Sequence, residues 1–411
     1  MDKKQLLKEL YRVGVEAVMP KNFIPLNISL EDNILKIANL NYNLEEYENI
    51  YVIGSGKASI DMALELKEIL KDRVKKYLVV SNYQKSVEGI KIIQSSHPII
   101  SQKSIKAAED IIDEFTMMSE RDLSIYLLSG GTSALIEKPV DGVSLDELSE
   151  LGKMLLESGM DISKMNVIRK SLSKIKGGGL LEYAKCDGVV LVLSDVIGDD
   201  LDTIGSAPLF AKPNDISAIK ILKEFHLWDR VTDGIKEALL KDNPKNPKRS
   251  FPHIIMASNS HALQMIDRYA KELNINSKIV TNSLNGDVKD VAKKITKSVS
   301  DLEYDLLLFG GESTVKVAGV GKGGRNQELC LWVLKQMRED LNFYFLSAGS
   351  DGIDGNSDAA GGVVGIDDLD ESIDEYLKNN DSYHYLLKHN SLVKTGDSGT
   401  NVMDIMIALK E

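Results

Sequence analysis

Eight apolar, β-rich runs recur along this chain, and amphipathic segments of helical spacing separate many of them. The runs are Asn49–Ile53, Lys76–Val80, Ser124–Leu128, Gly188–Leu193, Ile254–Ala257, Lys278–Thr281, Asp305–Phe309 and Phe343–Leu346. Between them lie helical patterns such as Ser59–Lys71, Gln102–Phe115 and Asp287–Val299. Strands without polar alternation are buried on both faces, so helices have to cover a mostly parallel sheet from both sides. The fold class is therefore α/β. A chain of 411 residues exceeds what one hydrophobic core usually supports, so two domains are expected. The best boundary is Leu240–Pro252, LKDNPKNPKRSFP, where three prolines, two asparagines and several charges interrupt the pattern. The expected domains are 1–240 and 241–411, with the N-terminal amphipathic helix free to dock on either.

Charge and composition remove several function classes. A net charge of −12 argues against a nucleic-acid binder, which would carry a basic face. Anionic small molecules stay open, because a cleft can be locally positive on an acidic protein. No run reaches the roughly 18 apolar residues of a membrane span, and MDKKQLLKELYRVGVEAVMP lacks an apolar signal core. Cys186 and Cys330 cannot by themselves build a disulfide framework or a zinc site. The expectation is a cytoplasmic protein with reduced thiols and neither membrane nor nucleic-acid partner; a homodimer stays open.

Ligands of open parallel sheets bind beyond the carboxyl ends of the strands, so the loops there carry the candidates. The first is Gly54-Ser55-Gly56-Lys57-Ala58-Ser59, between a strand and a helix. Its glycines let backbone approach an anion, the helix N-terminus offers free N–H groups, and Lys57 adds a charge. It is not a Walker A loop, since Tyr51 stands where the first glycine belongs and Ala58 replaces the hydroxyl residue. Ser59 in place of a third glycine, and Ser81-Asn82 after the next strand, also speak against a dinucleotide fingerprint. Ser129-Gly130-Gly131-Thr132-Ser133 and Gly310-Gly311-Glu312-Ser313-Thr314 follow apolar strands as candidate anion nests. LLSGGTSAL and LLFGGESTV echo one another, and convergence of two loops is the preferred reading.

Charged residues cluster in further segments. Met165–Leu180, MNVIRKSLSKIKGGGL, combines a helical stripe of Val167, Leu172, Ile175 and Leu180 with Arg169, Lys170, Lys174 and Lys176. On an acidic chain such local basicity suggests an anion site, against the plainer reading of a solvated helix with a glycine cap. Ser194-Asp195 and Ser347–Asp358 place aspartates, among them Asp351, just after core strands. There they can meet Mg²⁺ or accept a hydroxyl proton. An EF-hand is rejected, because Ala359 and Gly365 occupy the positions of its glycine and closing glutamate. Gly321-Lys322-Gly323-Gly324-Arg325-Asn326 precedes a helix. An arginine at a helix N-terminus is misplaced unless an anion shares the site. Thr395–Val402, including Asn401, adds a further polar glycine loop. His97, before Pro98, reads most simply as a packed or exposed loop histidine.

Together GSGKAS, LLSGGTSAL, MNVIRKSLSKIKGGGL, SDVIGDD, GGEST, GKGGRNQE, SAGSDGIDGNSDAAGG and TGDSGTNVMD resemble, in family order and over nearly the whole chain, the glycerate 2-kinase family. That is the class II glycerate kinases, whose C-terminal half is the MOFRL domain. Asp397-Ser398 departs from the proline the family usually carries in the last block. The resemblance implies two three-layer α/β/α domains with largely parallel sheets, Rossmann-like first and a smaller MOFRL-type second. It implies transfer of the γ-phosphoryl of ATP to D-glycerate, giving 2-phosphoglycerate, with Mg²⁺ or another divalent cation. Lys57, Asp195 and Arg325 are the catalytic candidates. Ser55, Gly56, Ser129, Gly130, Arg169 and Asn326 are assigned to substrate, and Gly310, Gly311, Glu312, Ser313, Lys322, Gly323, Asp351 and Asn401 to nucleotide. Asp195, Glu312 and Asp351 are the metal candidates. An NAD(P)H-dependent hydroxypyruvate reductase is the runner-up, which the missing ribose-binding acid disfavours. A glycerate or phosphate sensor is a third alternative.

Overall fold

The computed structural model describes residues 2–212, 217–241, 245–301 and 303–410. The chain forms two compact units. An N-proximal unit comprises Ile24–Leu193 and Asp200–Met256, and a C-proximal unit comprises Met1–Phe23, Ser194–Asp199 and Ala257–Glu411. These limits differ from a cut at 240/241. Residues 245–252 of the expected linker belong to the N-proximal unit, and residues 242–244 lie outside the described set.

The question left open for the N-terminal helix has a physical answer. Helix Lys3–Ala17 buries Leu7, Leu10, Tyr11, Gly14 and Val15 and belongs to the C-proximal unit. Gly14 allows close approach, since a Cβ built there would lie 2.6 Å from Cδ1 of Ile266. The Tyr11 hydroxyl donates to the Gly349 carbonyl at 2.6 Å, and Lys4 pairs with Asp368 at 2.6 Å.

In the N-proximal unit, β1 (Ile28–Glu31), β2 (Ile34–Ile37) and β3 (Leu40–Asn43) form a small antiparallel sheet. The main sheet contains β4 (Asn49–Ser55), β5 (Val74–Ser81), β6 (Ile90–Gln94), β7 (Asp122–Leu128), β8 (Asp187–Leu193) and β9 (His253–Ala257), in the order β6-β5-β4-β7-β8-β9. The pairs β4–β5, β5–β6, β4–β7 and β7–β8 are parallel. Every residue of β7 is buried, as its unbroken apolar run requires. The sheet order reverses around β4 and β7, so the loops after these two strands are neighbours, the usual place for a ligand crevice.

In the C-proximal unit, β10 (Ser277–Asp287), β11 (Leu306–Thr314), β12 (Phe343–Gly349), β13 (Gly361–Val364), β14 (Leu392–Val393) and β15 (Asp404–Lys410) are ordered β10-β11-β15-β12-β13-β14. Here the expected parallel character needs correction. Only β10–β11 is parallel, and β15 enters antiparallel between β11 and β12. The sheet is mixed because the last apolar run returns through the centre rather than adding at an edge. The core joins this sheet to helices Val288–Asp301 and Arg325–Leu334.

Two local expectations change. The helix begun at Ile162 ends at Ser171, before reaching Leu172 and Ile175. Lys174 N–H instead bonds the Lys138 carbonyl, and the Ser173 hydroxyl donates to Glu137. Both pull the chain out of helical register. Ile168 fills the core where Val167 was expected, because the helix turns that face inward. The echoed Gly-Gly loops also differ. Gly131, at φ +87°, opens a turn into helix Thr132–Leu135, whereas Gly310 and Gly311 remain inside β11.

Candidate active site

The loops after β4 and β7 are latched together. Lys57 N–H donates to the Gly130 carbonyl at 2.9 Å, Ala58 N–H to Ser129 Oγ at 3.1 Å, and Ser129 N–H to the Ser55 carbonyl at 3.1 Å. Gly56 lies at φ +131°, and a Cβ built on it would stand 2.1 Å from Ser129 Oγ. Only glycine permits that approach. Gly56→Ala is expected to destabilise the N-proximal unit by about 2–3 kcal/mol through overlap and left-handed strain. A urea titration would measure it, and a loss below about 0.5 kcal/mol would contradict the latch.

This latch determines which predicted residues can face a ligand. Ser55 and Ser129 are almost fully buried, and Ser55 Oγ meets Tyr126 and Thr132 hydroxyls at 2.7 and 3.1 Å. Their hydroxyls build the turn. The Gly130 carbonyl is likewise engaged, by Lys57 N–H. Lys57 differs. Among the described residues its half-buried ammonium has no ion pair or hydrogen bond. Its stem lies beside Gly131 and near His97, whose imidazole is pushed below its ordinary range by burial and then by Lys57.

His97 and Gly131 line a cavity of about 410 Å³ within this unit, together with Arg169 and Lys176. Lys176 is buried against Glu137, so its charge is neutralised. Lys170, also buried, pairs with Asp202 at 2.6 Å. Arg169 alone of this helix's late cations is half-buried with no ion pair or hydrogen bond among the described residues. Burial disfavours its charge and Glu137 only partly offsets that. An incoming anion would supply what is missing. Lys245 secures the segment by donating to the Lys170 carbonyl at 2.8 Å and to the Lys176 carbonyl, and burial lowers its ammonium to about 8.

The C-proximal unit brings together a second charged group. Arg325 opens helix Arg325–Leu334 and grips Asp404 through Nε and Nη2 at 2.7 and 2.9 Å, while Nη1 reaches Glu312 at 2.7 Å. The anion that an arginine at a helix N-terminus demands is therefore supplied by protein carboxylates. Asn326, fully buried, donates to Asp404 at 2.9 Å and accepts from Ser347 at 2.6 Å. It holds this network together. Asp351 accepts from Ile353 N–H at 3.1 Å, and a Cβ built on Gly349 would lie 3.1 Å from Asp351 and 3.6 Å from Asp404.

Several residues expected to meet nucleotide lie in close internal packing. A Cβ on Gly310 would overlap Asn259, one on Gly311 would overlap the Leu284 backbone, and one on Gly323 would lie 2.2 Å from Ser382 Oγ. Ser313 is buried. Lys322 lies 3.8 Å from the Tyr383 ring centroid and 3.1 Å from Asp358, and Asn401 accepts from Met403 N–H. Asp195 follows β8 but groups with the C-proximal unit, correcting its placement in the half that carries Lys57. Among the described residues no group of three or more His, Cys, Asp or Glu is placed to hold a metal, so Asp195, Glu312 and Asp351 form no cage.

Asp354 and Asp404 were not singled out as site residues. Asp404, lone and charged at the head of the apolar run Ile405–Leu409, carries the signal of a buried carboxylate that needs a cation. Asp354 gave no comparable hint, because its role is to accept from Asn326 and Gln327 N–H at the helix start. Burial foremost raises its carboxyl to about 6. From about pH 4 to 6 the folded state therefore keeps a proton that the unfolded state has lost. Its contribution falls across that window and costs about 2–3 kcal/mol above it. The stability of the wild type relative to Asp354→Asn is thus expected to decline from pH 4 to 6 and then level. A parallel pair of urea-unfolding curves across that range would contradict it.

The chain matches the domain of unknown function DUF4147 over residues 6–240 and the MOFRL family over residues 305–404. It is 34% identical to the D-glycerate 2-kinase of Thermotoga maritima, covering 99% of this chain and 98% of that one. With the glycerate 2-kinase of Pyrococcus horikoshii it shares 32% identity, over 100% of this chain and 98% of the other. The crystal structure of glycerate kinase from Thermotoga maritima superposes with a TM-score of 0.86 at 32% identity, covering 99% of both chains. Likeness of this extent, end to end and through both sheets, places the chain in the glycerate 2-kinase family.

Proposed function

We propose that this chain transfers the γ-phosphoryl group of ATP to the 2-hydroxyl of D-glycerate, giving 2-phosphoglycerate and ADP. The observation that carries this is the end-to-end likeness to chains named glycerate 2-kinases. Arg169 and Lys57 add physical support, because among the described residues neither cation has an ion pair or hydrogen bond and both lie beside one cavity. The glycerate hydroxyl oxygen forms the new bond to the γ-phosphorus. The bond to the bridging oxygen breaks, ADP leaves with that electron pair, and the hydroxyl proton passes to a base. Asp195 is the base proposed here. Lys57 meets the charge that spreads over the transferred oxygens, and Arg169 takes an anionic group of a reactant. Arg325, fixed by Asp404 and Glu312, contributes an oriented cation in its own unit.

A divalent ion that accompanies ATP would neutralise phosphate charge. Magnesium typically keeps waters and uses one or two protein carboxylates beside the phosphates, so a dedicated cage is not required. Asp351 is the carboxylate proposed to meet it.

The test is a pair of assays on the purified chain. ADP release from ATP that depends on D-glycerate, without NADH oxidation by hydroxypyruvate, is the expected outcome. NADH oxidation without ATP use would reverse the assignment in favour of a reductase.

A further inference from the structure

The cavity beside Arg169 is much larger and more apolar than a three-carbon acid requires. Its apolar lining comes from Ile99 and Ile100 after the His97-Pro98 bond, and from Leu148, Gly152, Leu155 and Leu156 on helix Leu145–Glu157. Ile99 and Leu156 are 69% and 66% exposed, so two large side chains at this cavity are left uncovered. D-glycerate carries a carboxylate and two hydroxyls, and the apolar part of this lining offers those groups no partners. A purine has two apolar faces, and its phosphate tail needs cations at one end. The cavity joins apolar walls to Arg169, with Lys57 beside its His97 and Gly131 edge. Ser149, also lining it, has a hydroxyl without a hydrogen-bond partner among the described residues, available to a base edge.

We propose that this cavity is the pocket for the nucleotide base, with the purine against Ile99, Ile100 and the Leu145–Glu157 helix and the phosphates directed to Arg169 and Lys57. The assignment rests on the kinase reading and adds where its donor binds. It makes Gly152 a specificity position, because the glycine keeps that helix face open.

Gly152→Leu is the test. A Cβ at Gly152 meets nothing within 4 Å and the position is helical, so leucine is tolerated by the fold and intrudes only on open space. The KM for ATP and the Kd for a fluorescent ADP carrying its label on the ribose should both rise by roughly tenfold or more. The KM for D-glycerate should stay within about twofold. Leu156→Ser, at an exposed site that folding does not need, should weaken ADP several-fold and confirms the result if Gly152→Leu melts early. A rise in the glycerate KM alone would overturn the proposal and make this the acceptor's pocket. No change in either ligand, in both variants, would overturn it as well. Wild-type protein that neither turns over ATP nor binds the labelled ADP would instead sink the kinase reading.

Discussion

Lys57→Ala is expected to lower kcat by roughly 10²–10³-fold while leaving the melting temperature close to wild type. The two halves of that expectation have separate causes. The ammonium makes no ion pair or hydrogen bond among the described residues, so its removal strands no carboxylate. The loop is held by the Lys57 N–H bond to Gly130 and the Ser129 bond to Ala58 N–H, which alanine preserves. What disappears is a cation that strengthens its interaction as negative charge spreads over the transferring phosphoryl oxygens. A loss in kcat that exceeds any rise in the KM for ATP marks an interaction that strengthens in the transition state. Steady-state kinetics with a thermal melt on the same preparation decides it. Near wild-type kcat would reduce Lys57 to a solvated turn lysine.

Arg325→Ala is expected to behave differently, because its partners are buried. Asp404 is 0% exposed and receives both Nε and Nη2 of Arg325. Deleting the guanidinium leaves that carboxylate without its main counter-charge, which costs about 3 kcal/mol when one member of such a pair goes. Arg325→Lys should recover little of the loss, since a point charge cannot span Asp404 twice and reach Glu312 as well. Activity should fall in both variants together with stability. Adding Asp404→Asn to Arg325→Ala should return part of the lost stability, because the uncompensated charge is gone. Denaturant unfolding of the wild type, Arg325→Ala, Asp404→Asn and the double variant measures the coupling. If Arg325→Ala unfolds with the wild-type midpoint, the pair does not hold the helix start.

The contrast between these two cations also explains what could be read from the sequence. The strand positions were legible because apolar runs such as Ser124–Leu128 are buried on both faces, a pattern visible in one dimension. The mixed order of the second sheet was not, since no local signal tells that Asp404–Lys410 returns between β11 and β12. Lys57 and Arg169 stand out in the sequence through loop chemistry and local basicity. Whether a serine beside them faces a ligand or a neighbouring loop depends on spatial pairing, and Ser55 and Ser129 turned inward. Arg325 was noticed for its uneasy place at a helix start, but the carboxylate answering it lies far along the chain. The apolar residues of helix Leu145–Glu157 carry no local mark of function, and only the fold shows that some of them border a cavity.

The central claim is phosphorylation of D-glycerate at its 2-hydroxyl, and the identity of the product tests it most directly. Purified chain is incubated with ATP, a divalent cation and D-glycerate, and then with enolase in the absence of any phosphoglycerate mutase. Enolase dehydrates 2-phosphoglycerate and leaves 3-phosphoglycerate untouched. Phosphoenolpyruvate formed in step with ADP is the predicted result. ADP formed without phosphoenolpyruvate, from a phosphorylated product that only added mutase makes available to enolase, would contradict the claim.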